Sequence, residues 1–91
     1  MIKETLVSMN YCHLTDETIE EIESGGVYYC DLALYPYDFG WFIYIGDDGY
    51  DENSMPKDLL TLVKRAREAG AEWLQLDCDV PTEKDLPVYT D

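Results

Sequence analysis

The sequence is poor in basic residues. It has six Lys and Arg against twenty Asp and Glu, for a formal net charge of -14. A protein that holds DNA or RNA directly replaces the phosphate counterions with Lys and Arg, and a polybasic membrane anchor needs the same residues to meet anionic lipid. The composition therefore excludes direct nucleic acid binding and electrostatic membrane binding.

Long apolar runs are also missing. No stretch approaches the roughly 18 apolar residues of a membrane-spanning helix, and the opening MIKETLV is not followed by the apolar region of a signal peptide. We therefore expect a cytoplasmic protein. The hydrophobic fraction of 46% and aromatic fraction of 13% are too high for an acidic disordered chain. A length of 91 residues predicts a single domain over residues 1–91.

Motifs for metals, disulfides and phosphates are absent as well. The three cysteines, Cys12, Cys30 and Cys78, are odd in number and show no C-x-x-C spacing, which argues against a disulfide framework and a zinc site. We expect reduced, largely buried thiols. Gly25-Gly26 precedes a predicted strand rather than a helix, so no phosphate-binding loop is present. No cofactor is expected.

The hydrophobic pattern predicts four strands and two helices. Alternating or continuous apolar residues indicate strands at 5–14, 27–35, 41–45 and 73–78. Thr15 is a good N-cap for a helix ending at Gly25, and Pro56 starts a second helix that Gly70 caps. The core face of this second helix comprises Leu59, Leu60, Val63, Ala66 and Gly70.

The remaining segments are predicted to be turns and loops. Residues 36–40 form a turn, residues 46–53 an acidic loop, and residues 82–91 an irregular tail. The order β-α-β-β-α-β predicts an α+β fold: a four-stranded antiparallel sheet with two helices on one face, the ferredoxin-like arrangement. Residues 41–45 (WFIYI) resemble a central strand that is covered on both faces.

Catalytic and metal-binding patterns are weak. Cys12 and His13 are neighbours on a predicted strand and therefore point to opposite faces, which does not suit a nucleophile and its base. Asp77 and Asp79 share one face at a strand end and could hold Mg²⁺ or Ca²⁺ through oxygen ligands. The acidic loop offers carboxylates too, but without the spacing of an EF-hand. We expect no enzyme activity and no resident metal, and keep a small metal-dependent enzyme using Asp77 and Asp79 as a third hypothesis.

Acidic residues are concentrated in the first part of the chain. Residues 1–55 hold twelve acids and one base, a net charge of -11. Five carboxylates form a fan opposite Ile19 and Ile22 on the first helix. At about 1.5 Å rise per residue they give one negative charge per roughly 2.4 Å, against roughly 1.7 Å for duplex DNA. Carboxylates three and four residues apart repel one another, so the fan favours a basic partner.

Tyrosine is abundant beside these acids. Tyr37 and Tyr50 lie in predicted turns next to Asp38 and Asp51, and Tyr beside carboxylate is typical of protein-binding surfaces. The predicted partner-binding residues are Asp16, Glu17, Glu20, Glu21, Glu23, Asp31, Asp38, Asp47, Asp48, Asp51, Glu52, Tyr37 and Tyr50.

Several segments carry a family resemblance. They are Phe39-Gly40-Trp41-Phe42, the helix start Pro56-Lys57-Asp58-Leu59, Ala69-Gly70 through Trp73-Leu74 to Leu76-Asp77, and Leu86-Pro87-Val88-Tyr89. Through them the chain resembles an uncharacterised family of small acidic domains from phages, plasmids and mobile elements. No catalytic residue comes with the resemblance. It implies a bacterial host cell, in which small acidic proteins often block restriction or CRISPR machinery by imitating nucleic acid. By charge and size the chain looks like such an anti-CRISPR or anti-restriction mimic.

Two functional hypotheses from different classes follow. The leading one is a non-catalytic inhibitor whose carboxylates occupy the basic nucleic-acid-binding site of a host defence complex, a CRISPR effector or a restriction enzyme. The alternative is a regulatory module that binds a protein through its Tyr-rich turns or its sheet surface, with charge serving solubility. Either form would be a monomer or a homodimer, with no direct contact to nucleic acid or membrane.

Overall fold

The computed structural model describes residues 1–25, 28–46 and 51–89, and only the backbone of Tyr28. Two single-turn 3-10 helices lie at Tyr11–His13 and Glu52–Ser54. The strands and α-helices are β1 Leu6–Asn10, α1 Asp16–Ser24, β2 Tyr28–Tyr29, β3 Leu32–Tyr37, β4 Gly40–Tyr44, α2 Lys57–Glu68 and β5 Trp73–Asp77. Neither α-helix in this part of the chain is both long enough and apolar enough to cross a membrane.

The strands form one mixed sheet in the order β1-β5-β4-β3-β2. Four strands of five or six residues make up most of it, and β2 adds two residues beside β3. β5 runs parallel to β1 and antiparallel to β4. The α+β class with two helices is confirmed, whereas the prediction of a purely antiparallel, ferredoxin-like sheet is wrong. β5 is an interior strand and buries three residues, Leu74, Leu76 and Asp77, whereas the edge strand β1 buries only one. The more apolar strand takes the interior position because it is covered by neighbours there.

The sheet register separates two faces. In one row Val7 pairs with Leu74, which pairs with Ile43, which pairs with Leu34. This face packs against Ile22 of α1 and against Leu59, Leu62, Val63 and Ala66 of α2 in a single buried cluster. Both helices therefore lie on one face of the sheet, as predicted. The core face of α2 includes Leu62, which the sequence pattern had missed, and Leu60 is only half-buried.

Local signals position the helices. The hydroxyl of Thr15 accepts a hydrogen bond from the backbone N–H of Thr18, which confirms the predicted N-cap. Asp58 of α2 accepts two more bonds, from the N–H of Thr15 at 2.9 Å and from the hydroxyl of Thr18 at 3.0 Å. At the end of α2, Gly70 has a φ of +86°, the left-handed conformation expected of a C-terminal cap. The start of α1 is therefore fixed to the start of α2.

The hairpin region differs from the sequence prediction. The strand predicted at 27–35 is interrupted at Cys30 and Asp31, which have φ values of +53° and +64° and form a two-residue turn between β2 and β3. Positive φ at both central residues is the type I′ turn, for which Asn and Gly are preferred. Because this turn contains neither Asn nor Gly, the sequence pattern of residues 27–35 predicts one continuous strand.

The turn predicted at 36–40 is shorter in the structure. It consists of Asp38 and Phe39 alone, since Tyr37 pairs with Gly40. Pro36 lies inside β3 opposite Trp41. β2 pairs only with the first two residues of β3, so among the described residues no strand needs the N–H that Pro36 lacks.

The tail is irregular, as predicted, but it is attached to the domain. The imidazole of His13 contacts it on both sides: Nδ1 lies 2.8 Å from the carbonyl oxygen of Pro87, and Nε2 lies 2.9 Å from the backbone nitrogen of Glu83. Since the N–H of Glu83 donates to Nε2, the ring carries its proton on Nδ1 and donates it to Pro87. The N–H of Tyr89 also donates to the carbonyl of Cys12. These bonds hold the segment against the 3-10 helix at Tyr11–His13.

Candidate protein-binding surfaces

The five carboxylates of α1 all lie on the surface. Asp16, Glu17, Glu20, Glu21 and Glu23 are exposed, whereas Ile22 is buried. Glu21 accepts a hydrogen bond from the hydroxyl of Tyr29 at 2.8 Å. Burial, together with this bond to Glu21, raises the pKa of Tyr29. The helix therefore presents a rigid row of negative charge, since both its cap and its contacts with Asp58 fix its position.

Three basic side chains of α2 are engaged elsewhere. Arg65 forms a bidentate ion pair with Asp85, with N···O distances of 2.9 and 2.8 Å. These hydrogen bonds hold the pKa of the Asp85 carboxyl below its usual range. Lys64 lies 3.5 Å from Glu52. The guanidinium of Arg67 donates to the carbonyl oxygen of Ile45. None of the ion pairs in the described part of the chain involves α1, so its charge is not neutralised within these residues.

The structure brings some other predicted acids near this helix. Glu23 and Asp38 line the same shallow cleft, which also contains Tyr11. The thiol of Cys30 donates to the carbonyl of Ser54 at 3.4 Å, which places the turn of Asp31 beside the 3-10 helix containing Glu52. Asp31, Asp38, Asp51 and Glu52 are exposed. The predicted partner-binding residues Asp47, Asp48 and Tyr50 lie outside the described residues.

Tyr37 belongs to a polar network at the end of the sheet. Its hydroxyl donates to Oδ2 of Asp77 at 2.5 Å and accepts from the side-chain amide of Gln75 at 2.8 Å. The hydroxyl of Ser8 donates to the same Gln75. Burial, and then the bond to Asp77, raises the pKa of Tyr37, while the bond from Tyr37 lowers the pKa of Asp77. The Tyr37 hydroxyl thus already has two partners within the chain.

The carboxylate of Asp77 already has hydrogen-bond partners within the protein. Asp77, Cys78 and Asp79 place their ligand atoms within 4.8 Å of one another. Yet Oδ1 of Asp77 accepts the N–H of Asp79 at 2.7 Å, while Oδ2 is bound to Tyr37. Both oxygens of its one buried carboxylate are therefore used to close the end of β5, which fits a structural role better than a metal-binding one.

Cys12 and His13 are placed differently from the prediction. β1 ends at Asn10, and both residues lie in the 3-10 helix that follows. Both are buried, and burial raises the pKa of the Cys12 thiol. Because both nitrogens of His13 bind the tail, the imidazole is not free to act as a base.

The structure gives residues to the sheet surface that the alternative hypothesis names only in general. The sheet face opposite the helices carries Leu6, Tyr35, Phe42, Tyr44 and Trp73, which we call the open sheet face. Leu6 is 44% exposed and Tyr35 is 52% exposed. The rings of Tyr35 and Tyr44 contact Trp73 at centroid distances of 5.8 and 5.1 Å. A shallow, almost wholly apolar depression in the surface lies among Leu6, Tyr35, Phe42 and Trp73.

The expectation that residues 41–45 are covered on both faces is therefore wrong. Ile43 faces the core, but Phe42 and Tyr44 lie on the open sheet face, which no described element covers. The sequence signal for an exposed aromatic face is the alternation of Tyr35 and Tyr37 in β3. In β4 no alternation is visible, because core positions and surface positions are both apolar.

The fold and these surfaces define a small, acidic α+β domain with one covered and one uncovered sheet face. Residues 6–91 match the C-terminal domain of DUF5983, a family of unknown function, and the chain belongs to this family. No curated protein and no solved structure shows a significant match. The expectation of an uncharacterised family is confirmed. The link to phages and mobile elements and the likeness to anti-CRISPR or anti-restriction proteins stay predictions.

Proposed function

We propose that this domain is a non-catalytic inhibitor of a host nucleic-acid-binding defence complex, with an anti-CRISPR or anti-restriction role. Its carboxylates would occupy Lys and Arg sites that normally hold phosphates. The observation that carries the proposal is the row of five exposed carboxylates on α1, none of which has an ion-pair partner among the described residues.

The energetics favour a basic partner. In the free domain, Glu17, Glu20 and Glu21 stand three and four residues apart and repel one another. A basic surface would relieve this repulsion and would also accelerate association by electrostatic steering. The helix needs little reordering on binding, because Thr15 and Asp58 already fix its first turn.

The proposal is non-catalytic because the candidate chemical groups are committed to the fold. Both nitrogens of His13 and both oxygens of Asp77 have partners inside the chain. A general base needs a lone pair within reach of a substrate proton. The Nε2 lone pair of His13 accepts the N–H of Glu83, and the carboxylate of Asp77 is buried and already accepts two hydrogen bonds.

The test is calorimetry against purified CRISPR effectors and restriction enzymes at several salt concentrations. We expect the double variant Glu17→Gln with Glu20→Gln to bind about 10-fold to 100-fold more weakly at low salt, with a shallower salt dependence. The matched control is Glu68→Gln with Asp79→Asn, which removes the same charge from exposed positions outside α1 and should bind like the wild type. Equal affinities for the two double variants would contradict the proposal.

The second candidate is a protein-binding regulatory module, which the exposed aromatic residues of the open sheet face favour. Tyr35→Ser would then abolish binding, while the Glu17→Gln and Glu20→Gln variant would bind normally.

A further inference from the structure

We infer that the open sheet face and the free edge of β1 together form a docking site for an extended, arginine-bearing segment of a partner protein. The inference deepens the second candidate function and rests on it. It is independent of the acidic face of α1, because both helices lie against the opposite face of the sheet.

The free edge of β1 is suited to strand addition. β1 stands at one end of the sheet, and in the described residues its backbone pairs with β5 alone. Its sequence, LVSMN, contains no charge and no proline, the devices by which proteins normally block an edge strand. Indeed, residues 5–15 carry no Asp, Glu, Lys or Arg at all. An extended segment can therefore pair with this edge through backbone hydrogen bonds.

The open sheet face supplies the side-chain contacts. Leu6 pairs with Trp73, which pairs with Tyr44, and these three residues form one row across the sheet. Alternate side chains of an added strand would extend this row and the next one, since side chains of paired strands line up on one face. The shallow apolar depression among Leu6, Tyr35, Phe42 and Trp73 lies beside the edge where such side chains would arrive.

The charge around this face identifies the occupant. Glu4 accepts a bond from the indole N–H of Trp73 at 3.0 Å, and Glu72 accepts one from the N–H of Thr5 at 2.9 Å. No basic residue belongs to the rows of the open face. Arginine fits this setting because its guanidinium stacks on aromatic rings and pairs with carboxylates.

A second copy of the chain fits less well. Each copy carries a net charge of -14, so pairing two edges would bring the acids of both ends close together. A segment of opposite charge gains from the same acids.

The experiment uses a library of short random peptides displayed on phage and selected on the immobilised full chain. We expect the recovered peptides to be enriched in arginine at alternate positions. A synthetic peptide from the selection should shift the amide resonances of Leu6–Asn10 in nuclear magnetic resonance spectra. The peptide should bind the Tyr35→Ser variant at least about tenfold more weakly than it binds the wild type. Thermal melting of each variant confirms folding, and Tyr35 is exposed enough for substitution to leave the core intact.

The matched control is Val88→Ser, which changes another exposed apolar residue, 57% exposed, in the tail. It should bind the peptide like the wild type, as should the Glu17→Gln and Glu20→Gln variant. Recovery of no peptides, of peptides without arginine, or of peptides that shift resonances of α1 would overturn the inference. So would a wild-type dimer in sedimentation experiments that Tyr35→Ser dissociates, since the occupant would then be a second copy.

The two proposals fail in different ways. If peptides bind the open sheet face while the α1 variants still bind the defence complex normally, the inhibitor proposal fails and the docking site stands. If peptides fail to bind but the α1 variants lose the complex, the reverse holds.

Discussion

At the scale of single residues, close backbone contacts determine which substitutions this fold tolerates. Gly40, the first residue of β4, has a φ of +154°, and a Cβ on it would lie 1.8 Å from the carbonyl oxygen of Leu76. Gly70 also has a positive φ, of +86°, but a Cβ there would meet nothing within 4 Å. A substitution at Gly70 therefore tests the cost of the backbone conformation alone, whereas one at Gly40 also tests the steric clash with β5.

We predict that Gly40→Ala lowers the free energy of unfolding by about 3 kcal/mol or more, because β4 must move away from β5 to admit the methyl group. Gly70→Ala should cost only about 1 kcal/mol, the penalty of a left-handed conformation with a side chain. Urea unfolding followed by circular dichroism measures both. Similar costs for the two variants would show that the contact with Leu76 is not limiting.

A second prediction concerns the bond between Tyr37 and Asp77. This bond lowers the pKa of Asp77, so its contribution to stability is present above the pKa of an unfolded Asp and is lost as the pH falls through the folded value. Tyr37→Phe removes the donor, and the pKa of Asp77 should rise. The stability difference between wild type and variant should narrow on acidification below about pH 4.

Carboxyl resonances of Asp77 followed through a pH titration measure this shift directly. A pKa for Asp77 that is the same in Tyr37→Phe as in the wild type would contradict the assignment. The N–H of Asp79 still donates to Asp77 in the variant, so the pKa should return only part of the way.

At the scale of elements, the turn between β2 and β3 holds two side chains in an unfavourable conformation. Both Cys30 and Asp31 have positive φ, although neither is the Gly or Asn that a type I′ turn favours. The turn between β3 and β4 contains Asp38, which has no such conformation. The two exposed aspartates provide a matched pair, because each removes one negative charge when replaced by glycine.

We predict that Asp31→Gly raises the free energy of unfolding by about 0.5–1 kcal/mol, since glycine adopts positive φ without steric cost. Asp38→Gly should be neutral or destabilising, because glycine there only increases the entropy of the unfolded chain. Thermal unfolding at one salt concentration compares the two. A stabilising Asp38→Gly of equal size would mean that charge removal, and not turn geometry, produces the effect.

At the scale of the whole molecule, the net charge of -14 acts against the compact state. Five of the six bases lie on α2 or in the tail. The ion pairs of the described residues join two of them, Lys64 and Arg65, to the acids at positions 52, 83 and 85. The carboxylates of α1 therefore contribute repulsion that the described ion pairs do not offset.

We predict that added sodium chloride raises the melting temperature of the domain, because ions screen the repulsion. The Glu17→Gln and Glu20→Gln variant should be more stable than the wild type at low salt, by about 0.2–0.5 kcal/mol for each like-charge pair that the substitutions remove. The two proteins should converge at high salt in differential scanning calorimetry. A difference that does not change with salt would point to a contact of these side chains rather than to charge.

Local chemistry made much of the fold predictable. Thr15 caps its helix as expected, Gly70 ends α2, and Leu74 and Leu76 alternate into the core. Each of these depends on neighbours within a few residues. The exposure of the α1 carboxylates was predictable for the same reason, since Ile19 and Ile22 define the inner side of the helix.

Other features depend on contacts between distant parts of the chain. The bond between Tyr37 and Asp77 joins residues 40 positions apart, and no local pattern announces it. The break at Cys30 and Asp31 was hidden because β2 exists only through its pairing with β3. The expectation of largely buried thiols holds only for Cys12, because Cys30 is half-buried and Cys78 lies past the end of β5 and is exposed.

The amino-acid sequence by itself determined the number and type of the main elements, the acidic first half and the exposed face of α1, because period and charge are local properties. Only the tertiary structure decided that β5 lies between β1 and β4, that β1 is left at an edge, and that Phe42, Tyr44 and Trp73 share a face that no described element covers. Strand order depends on which strands bury the most apolar surface together, and that competition is settled by the whole chain at once.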